Sequence, residues 1–275
     1  MTKTIFITGT SSGIGNATAK HFAEKGWNVA ATMRSPEKNK DLADISNIKV
    51  YQLDVTDENS IKKATSDAIE SFGKIDVVLN NAGYGLMGAF ETSSKDQIKR
   101  EFETNLFGAM DVTKAFLPHF KQNKGGLFIN LTSIGGLLAL PFLSLYHSTK
   151  FALEGFSESI AYELEQFGIR VKIIEPGAVK TNFATSSLDL SSNPSITDYD
   201  EELKKLQETI ESMFSTGQSS TPEMVAETIF AAATDESDTM RYLSGKDAEQ
   251  FYSLKKENGD VGFAKMIKQT LLGKE

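Results

Sequence analysis

Tyr146 and Lys150 stand four residues apart in the run Tyr146-His147-Ser148-Thr149-Lys150. On a helix that spacing puts phenol and ammonium on one face, about 6 Å apart along the axis. A free tyrosine ionises near pH ~10, too high for acid–base work at neutral pH. A nearby cation favours the phenolate and pulls that value down. Tyr146 is therefore a candidate for exchanging a proton with a substrate oxygen, and Lys150 for activating it. The pair alone is weak evidence, because Tyr-x-x-x-Lys arises by chance in many helices. What the rest of the chain places around it must decide.

The first such element is Gly9-Thr10-Ser11-Ser12-Gly13-Ile14-Gly15. It lies between a buried strand, Thr4 to Thr8, and a helical pattern, Ala17 to Lys25. Strand, glycine turn and helix form the context of a phosphate cradle. Glycines let the backbone approach a pyrophosphate, and the helix N-terminus supplies N–H groups and the positive end of its dipole. The spacing is G-x-x-x-G-x-G, and no P-loop lysine follows, so a nucleoside-triphosphate site is not expected. The plainer alternative is an ordinary Gly-rich turn.

A second strand, Asn28 to Met33, ends where a carboxylate would mark NAD by bonding the ribose 2′-hydroxyl. Met33 takes that place and Arg34 follows. A guanidinium there suits a 2′-phosphate, with Ser11 and Lys38 as further contacts; the alternative is a solvated surface arginine. A third strand, Ile48 to Leu53, ends at Asp54-Val55. Asp54 either accepts from an adenine amino group or caps the helix that starts near Asp57. The fourth strand, Ile75 to Leu79, is followed by Asn80-Asn81-Ala82-Gly83, small and amide residues where open α/β sheets bind ligands.

The elements that must position these residues alternate strand and helix along the chain. A long helix is expected over Lys95 to Lys121, with Asn105 near its middle. Between Phe102, Leu106 and Ala109, Asn105 either is exposed or faces inward and needs partners. The fifth strand, Gly126 to Leu131, leads to Thr132-Ser133, and an apolar loop from Gly135 to Phe142 precedes the Tyr146 helix, which runs to about Phe167. The sixth strand, Ile169 to Ile174, ends at Pro176-Gly177-Ala178-Val179-Lys180-Thr181. A Ser- and Asp-rich insert (182–220) with an amphipathic helix from Leu203 to Phe214 is a candidate lid. A helix begins at Thr221-Pro222, a short seventh strand spans Arg241 to Leu243, and a charged tail (246–275) is helical with no assigned role. This alternation implies one domain over residues 1–275: a doubly wound α/β fold with a parallel sheet of about seven strands, covered by helices on both faces.

Bulk properties exclude several classes. The chain has 275 residues, 40% hydrophobic and 24% charged, which argues against disorder. A net charge of −8 without a basic block argues against nucleic-acid binding. There is no cysteine, hence no disulfide and no thiolate metal site, and a reducing, cytoplasmic location is expected. No apolar run is long enough for a signal peptide or a membrane span. His21, His119 and His147 show no metal-ligand spacing. Asn130-Leu131-Thr132 spells a glycosylation acceptor, but at the end of a buried strand it reads as chance.

Together these motifs resemble the short-chain dehydrogenase/reductase family. The matching residues are Thr8-Gly9 with Gly13 and Gly15, Asp54, Asn80 to Gly83, Asn105, Ser133, Tyr146, Lys150, Pro176-Gly177 and Thr181, in the family's order over residues 4 to 181. Thr149, where relatives often carry serine, is a small departure. The resemblance implies a Rossmann-type sheet with strand order 3-2-1-4-5-6-7 and a hydride-transfer site. Asn105, Ser133, Tyr146 and Lys150 would be its catalytic set. Tyr146 would be the acid in reduction and the base in oxidation, Lys150 would lower its pKa and bond the nicotinamide ribose, Ser133 would orient the substrate oxygen, and Asn105 would hold a water of a proton relay. Gly9, Gly13, Ile14 and Gly15 would cradle the pyrophosphate, with Ser11 and Ser12 among the other cofactor-binding residues. Arg34, Asp54 and Val55 would meet the adenosine end, and Asn81, Ala82 and Gly83 the ribose. Tyr146, Lys150, Pro176, Gly177, Val179 and Thr181 would line the nicotinamide end.

The expectation is an NADP(H)-preferring oxidoreductase, with NAD(H) as the lesser cofactor. It would interconvert a secondary alcohol and a ketone or aldehyde. Leu137, Leu140, Phe142, Phe183, Met213 and Phe214 suggest an apolar substrate. The motifs within the family are closest to hydroxysteroid and retinol dehydrogenases, and relatives favour a homodimer or homotetramer. The rivals are an epimerase or dehydratase on the same fold, and a non-catalytic NADP(H) sensor or scaffold. The retained Ser133, Tyr146, Lys150 and Asn105 weigh against the latter.

Overall fold

The computed structural model describes residues 2–38, 40–180, 188–215 and 219–273, with the backbone alone over 211–215. Its main sheet holds seven parallel strands: β1 (Thr4–Ile7), β2 (Asn28–Met33), β3 (Ile48–Gln52), β4 (Val77–Asn80), β6 (Gly126–Leu131), β7 (Ile169–Pro176) and β9 (Arg241–Ser244). Their order across the sheet is β3-β2-β1-β4-β6-β7-β9, the expected 3-2-1-4-5-6-7 when main-sheet strands are counted along the chain. The chain reverses its winding between β1 and β4, which opens a crevice at their carboxyl ends.

Alternation within each strand builds two cores. Ile5, Ile7, Val77, Leu79, Leu127 and Ile129 point to one face, where α1 (Gly13–Glu24) and α7 (Pro222–Thr234) cover them through Phe22, Val225 and Ile229. Phe6, Val78 and Phe128 point to the other face. There α2 (Glu58–Phe72), α4 (Gly108–Gln122) and α5 (Ser144–Leu164) cover them through Ile61, Phe116, Phe120 and Leu164. Strands buried on both faces read as continuous apolar runs for this reason.

Three features depart from expectation. The helix expected over 95–121 is present, but α3 (Lys95–Phe102) joins α4 through a π-helical turn, Glu103–Phe107. A second, two-stranded parallel sheet pairs β5 (Gly85–Met87) with β8 (Leu188–Leu190). It ties the start of the insert to the segment after β4. Finally, α6 (Asp200–Ser215) and the tail helix α8 (Lys246–Leu272, kinked at Gly259) share a third apolar cluster: Leu206, Phe263 and Ile267 close on Ile134 and Leu138. Leu137, Leu140 and Phe142 pack against it, so the apolar loop has a core of its own.

Candidate active site

At the carboxyl end of β1, Gly9 has φ +73°, and a Cβ there would lie 2.9 Å from Ala82 Cα. A Cβ on Gly15 would run into the Gly9 carbonyl oxygen. The turn therefore accepts only glycine at these two places. Ser12 is the extended N-cap of α1 and its side chain makes no capping bond, so it leaves the helix's leading N–H groups to other acceptors. Ile14 and Val179 both pack against the α1/α7 core.

The Asn80–Gly83 segment stitches strand ends together. Thr8 Oγ1 accepts from the backbone N–H of Asn81 and of Ala82, each at 2.9 Å. Asn81 Nδ2 donates to the carbonyls of Thr8 (2.7 Å) and Gly9 (2.9 Å). Asn80 Nδ2 donates to Asn130 Oδ1 (2.8 Å) and Thr113 Oγ1 (3.1 Å), and Asn130 Nδ2 donates onward to Ser157 Oγ (2.7 Å). Asn130 is fully buried in this network, as the reading of Asn130-Leu131-Thr132 requires.

At the end of β2, Met33 is buried and Arg34 is exposed, with no carboxylate partner among the described residues. Asp57, not Asp54, caps α2, accepting from the N–H groups of Asn59 (2.8 Å) and Ser60 (3.3 Å). That overturns the capping alternative for Asp54. Asp54 Oδ1 instead accepts from Thr56 N and Thr56 Oγ1, an Asx turn at the strand end. Val55 is buried where Gly108 passes close to it.

Asn105, Ser133, Tyr146 and Lys150 converge beyond β4 and β6. Asn105 sits in the π turn and faces inward with its partners supplied. Its Oδ1 accepts from Tyr84 N (3.0 Å), and its Nδ2 donates to Tyr84 O (2.8 Å) and Thr149 Oγ1 (3.2 Å). π turns recur at functional sites because the extra residue redirects side chains. Lys150 Nζ is close to Asn105 and Gly83: a Cβ on Gly83 would lie 3.0 Å from Asn105 Oδ1 and 3.9 Å from Lys150 Nζ. The Ser133 hydroxyl lies where it lowers the pKa of the Tyr146 phenol, accepts from Gly135 N (3.0 Å) and reaches the Pro176 carbonyl (3.4 Å).

The electrostatics differ from the expectation. Lys150 Nζ donates to Leu131 O at 3.0 Å and lies 5.6 Å from the centre of the Tyr146 ring. Burial pushes the Tyr146 phenol up to about 12; the Ser133 hydroxyl works against this, and the negative field of Glu101 adds to it. Burial pushes Lys150 down to about 8, opposed by Glu101 and Glu154. The direction is opposite to the lowering expected from Lys150: burial and the Glu101 carboxyl raise the Tyr146 phenol.

Three residues here were not anticipated. Glu101 stands four residues before Asn105, on the same helical face, a spacing that could have revealed it. His147 pins the apolar loop: its Nδ1 pairs with Gly135 O (2.8 Å) and its Nε2 accepts from Leu140 N (3.0 Å). Asp247, in the first turn of α8, accepts from Ala178 N (2.5 Å), and Gly177 N donates to Ser244 O (3.1 Å). The loop carrying Pro176, Gly177 and Val179 is thus fixed by the tail, while Thr181 and Phe183 lie outside the described residues and so do the side chains of Met213 and Phe214.

Residues 3–190 match the family model described as short chain dehydrogenase. The chain belongs to the short-chain dehydrogenase family. An uncharacterized oxidoreductase of Schizosaccharomyces pombe is 40% identical over 231 residues, covering 84% of this chain and 96% of that protein. The crystal structure of a short-chain dehydrogenase from Streptomyces avermitilis is 33% identical with a TM-score of 0.84, covering 97% of this chain and 96% of that one. The structure of ElxO with NADP bound is 29% identical with a TM-score of 0.73, covering 89% and 97%. As a short-chain dehydrogenase the protein is an oxidoreductase enzyme, and no helix among its described residues is long and apolar enough to cross a membrane.

Proposed function

We propose that this short-chain dehydrogenase uses NADP(H) to interconvert a secondary alcohol and a ketone or aldehyde of apolar character, with Tyr146 as the acid–base group. The observation that carries the reading is the meeting of Ser133, Tyr146 and Lys150 beside a glycine turn at the sheet's switch point.

The site fits a dinucleotide. Gly9 and Gly15 let the turn close on Asn81 and Ala82, and the side-chain-uncapped start of α1 suits a pyrophosphate over Ser11, Ser12, Gly13 and Ile14. Arg34 beside the buried Met33 suits a 2′-phosphate, and ElxO, a structural neighbour, is seen with NADP. Asp54 and Val55 would flank adenine. Asn81 to Gly83 with Lys150 would flank the nicotinamide ribose, and Pro176, Gly177, Val179 and Thr181 the nicotinamide. When bound, the cofactor supplies or receives the hydride.

The chain's own residues supply placement and a proton. In reduction Tyr146 gives its phenolic proton to the substrate oxygen; in oxidation it takes one back. Ser133, whose hydroxyl acts on that phenol, orients the same oxygen. Lys150 holds a cation under the ring, and Asn105 holds the Tyr84 backbone and Thr149 beside it. Leu137, Leu140 and Phe142 form the apolar wall. The insert, through β8 and α6, is the lid of one catalytic domain, and the π turn and α5, which expose Phe107 and Phe151, suit a dimer or tetramer contact.

The test is a paired titration with NADPH and NADH, then a carbonyl panel read as loss of reduced-nicotinamide absorbance. Tighter NADPH binding with turnover of bulky apolar carbonyls is expected. NADH preference would remove the role of Arg34, and binding without turnover would favour a sensor. Failure to bind either cofactor would overturn the reading.

A further inference from the structure

One face of α3 carries Gln97, Arg100 and Glu101, at the three- and four-residue spacing of helical neighbours. All three reach the small sheet of β5 and β8. Gln97 Nε2 donates to Leu190 O at 3.2 Å and to Asp189 Oδ2 at 3.5 Å. Glu101 Oε1 accepts from Leu86 N at 3.0 Å. Arg100 bonds in two directions. Its Nη2 pairs with Asp189 Oδ2 of β8. Its Nε donates to the Tyr84 hydroxyl at 3.3 Å, and its guanidinium carbon lies 5.9 Å from the centre of that ring. Tyr84 stands between Gly83 and β5, and Asn105 holds its backbone at both polar atoms: Oδ1 accepts from Tyr84 N (3.0 Å) and Nδ2 donates to Tyr84 O (2.8 Å). The same Nδ2 donates to Thr149, the neighbour of Lys150. A continuous line of bonds therefore runs from Asp189 in the insert, through Arg100 and Tyr84, to Asn105.

Resting on the acid–base reading above, we propose that Arg100 is a positioning residue: by pairing with Asp189 it seats the insert on α3, and by holding Tyr84 it keeps the Asn105 amide in its working position. Two facts make the link consequential. The β5–β8 ladder is three residue pairs long, and a two-stranded ribbon of that length does not stand by itself in water, so its seat depends on the side chains that α3 offers it. Asn105 is buried, and three of its bonds go to Tyr84 and Thr149. A shift of Tyr84 breaks two of these at once and leaves a buried amide short of partners. Seating of the insert and the order of the Asn105 site are thus one event, with Arg100 at the joint.

The side chains of Arg100 and Asp189 are 56% and 33% exposed, so Arg100→Met and Asp189→Ala strand no buried charge. Each should lower kcat by about fivefold, the upper worth of an exposed ion pair. The double variant should lose little more than the worse single, because both changes cut the same line. The split between kcat and KM separates this role from a plain cover: a tie that only closes over substrate would raise KM and leave kcat alone. A second readout needs no turnover. Amide hydrogen exchange at Tyr84, whose N–H is held by Asn105, and at Ser191, whose N–H is held by Met87 O, should quicken by about fivefold in both variants while the amides of β4 and β6 stay unchanged. Unmoved exchange at Tyr84, or a loss confined to KM, would overturn the proposal. If the wild type shows no turnover that Tyr146→Phe removes, the acid–base reading fails by itself, and the exchange comparison still decides whether Arg100 holds Tyr84 on Asn105.

Discussion

The Lys150 ammonium lies under the Tyr146 ring, 5.6 Å from its centre, and spends its hydrogen bond on the Leu131 carbonyl and not on the phenol. A cation so placed is held by the strand end and the ring face, both of which survive loss of the phenolic oxygen. Tyr146→Phe should therefore bind NADPH with unchanged affinity while kcat falls by about 10²–10⁴-fold, the usual worth of a positioned acid–base group. Binding titration and steady-state rates on the same preparation check this; undiminished kcat would sink the proposed mechanism.

Arg34 is exposed and free of carboxylates among the described residues, so its removal should disturb little else. Arg34→Ala should weaken NADPH by about tenfold or more, the loss of a charge-assisted contact of roughly 1.5–3 kcal/mol, and leave NADH unchanged. Equal losses for both cofactors would remove its 2′-phosphate role.

His147 makes loop order depend on pH. With Nδ1–H donated to Gly135 O, its Nε2 is the acceptor for Leu140 N–H. Burial holds the ring below its ordinary 6.5. The folded value lies below the unfolded one, so this stability is complete above about 6.5 and is lost as pH falls through the lowered value. Protonation turns Nε2 into a donor and strands the Leu140 N–H, a cost of about 1–3 kcal/mol. Melting temperature should drop on acidification more in the wild type than in His147→Gln. Parallel curves would show that the ring does not control the loop.

Asp247 couples the tail to the loop after β7. Asp247→Ala strands the Ala178 N–H and should destabilise the fold by about 1–3 kcal/mol. It should also raise KM for NADPH more than it lowers kcat, because the loop lies on the cofactor side of the site. Asp247→Asn retains an acceptor oxygen and should recover much of both. Unchanged KM in D247A would separate the tail from cofactor binding.

The sheet was legible because its central strands are largely apolar runs and several helices carry a stop or cap, as at Asp57, Gly73 and Thr221. The convergence of Gly9, Asn81, Asn105, Ser133, Tyr146 and Lys150 was legible from motif order. The sign of the Tyr146 shift was not. Four-residue spacing reports that a cation is near, but not that the Leu131 carbonyl captures it or that Glu101 opposes it from another helix. Strands β5 and β8 were also hidden: three residues each, they find one another across a hundred positions of sequence, and Gly85-Leu86-Met87 carries no period long enough to declare a strand. Nothing in Glu103-Thr104-Asn105-Leu106-Phe107 announces a π turn, since no glycine or proline interrupts it.

That turn makes the α3–α4 rod a counted object. Each residue of an α-helix advances the chain by about 100° around its axis. Dropping one residue between Glu103 and Phe107 would restore an uninterrupted α-helix and swing either Asn105 away from Tyr84 and Thr149 or Phe116 and Phe120 off the sheet. Substitutions are tolerable along this rod, but changes of length are not: both of its ends are already docked, and one spare residue is all that reconciles their angles.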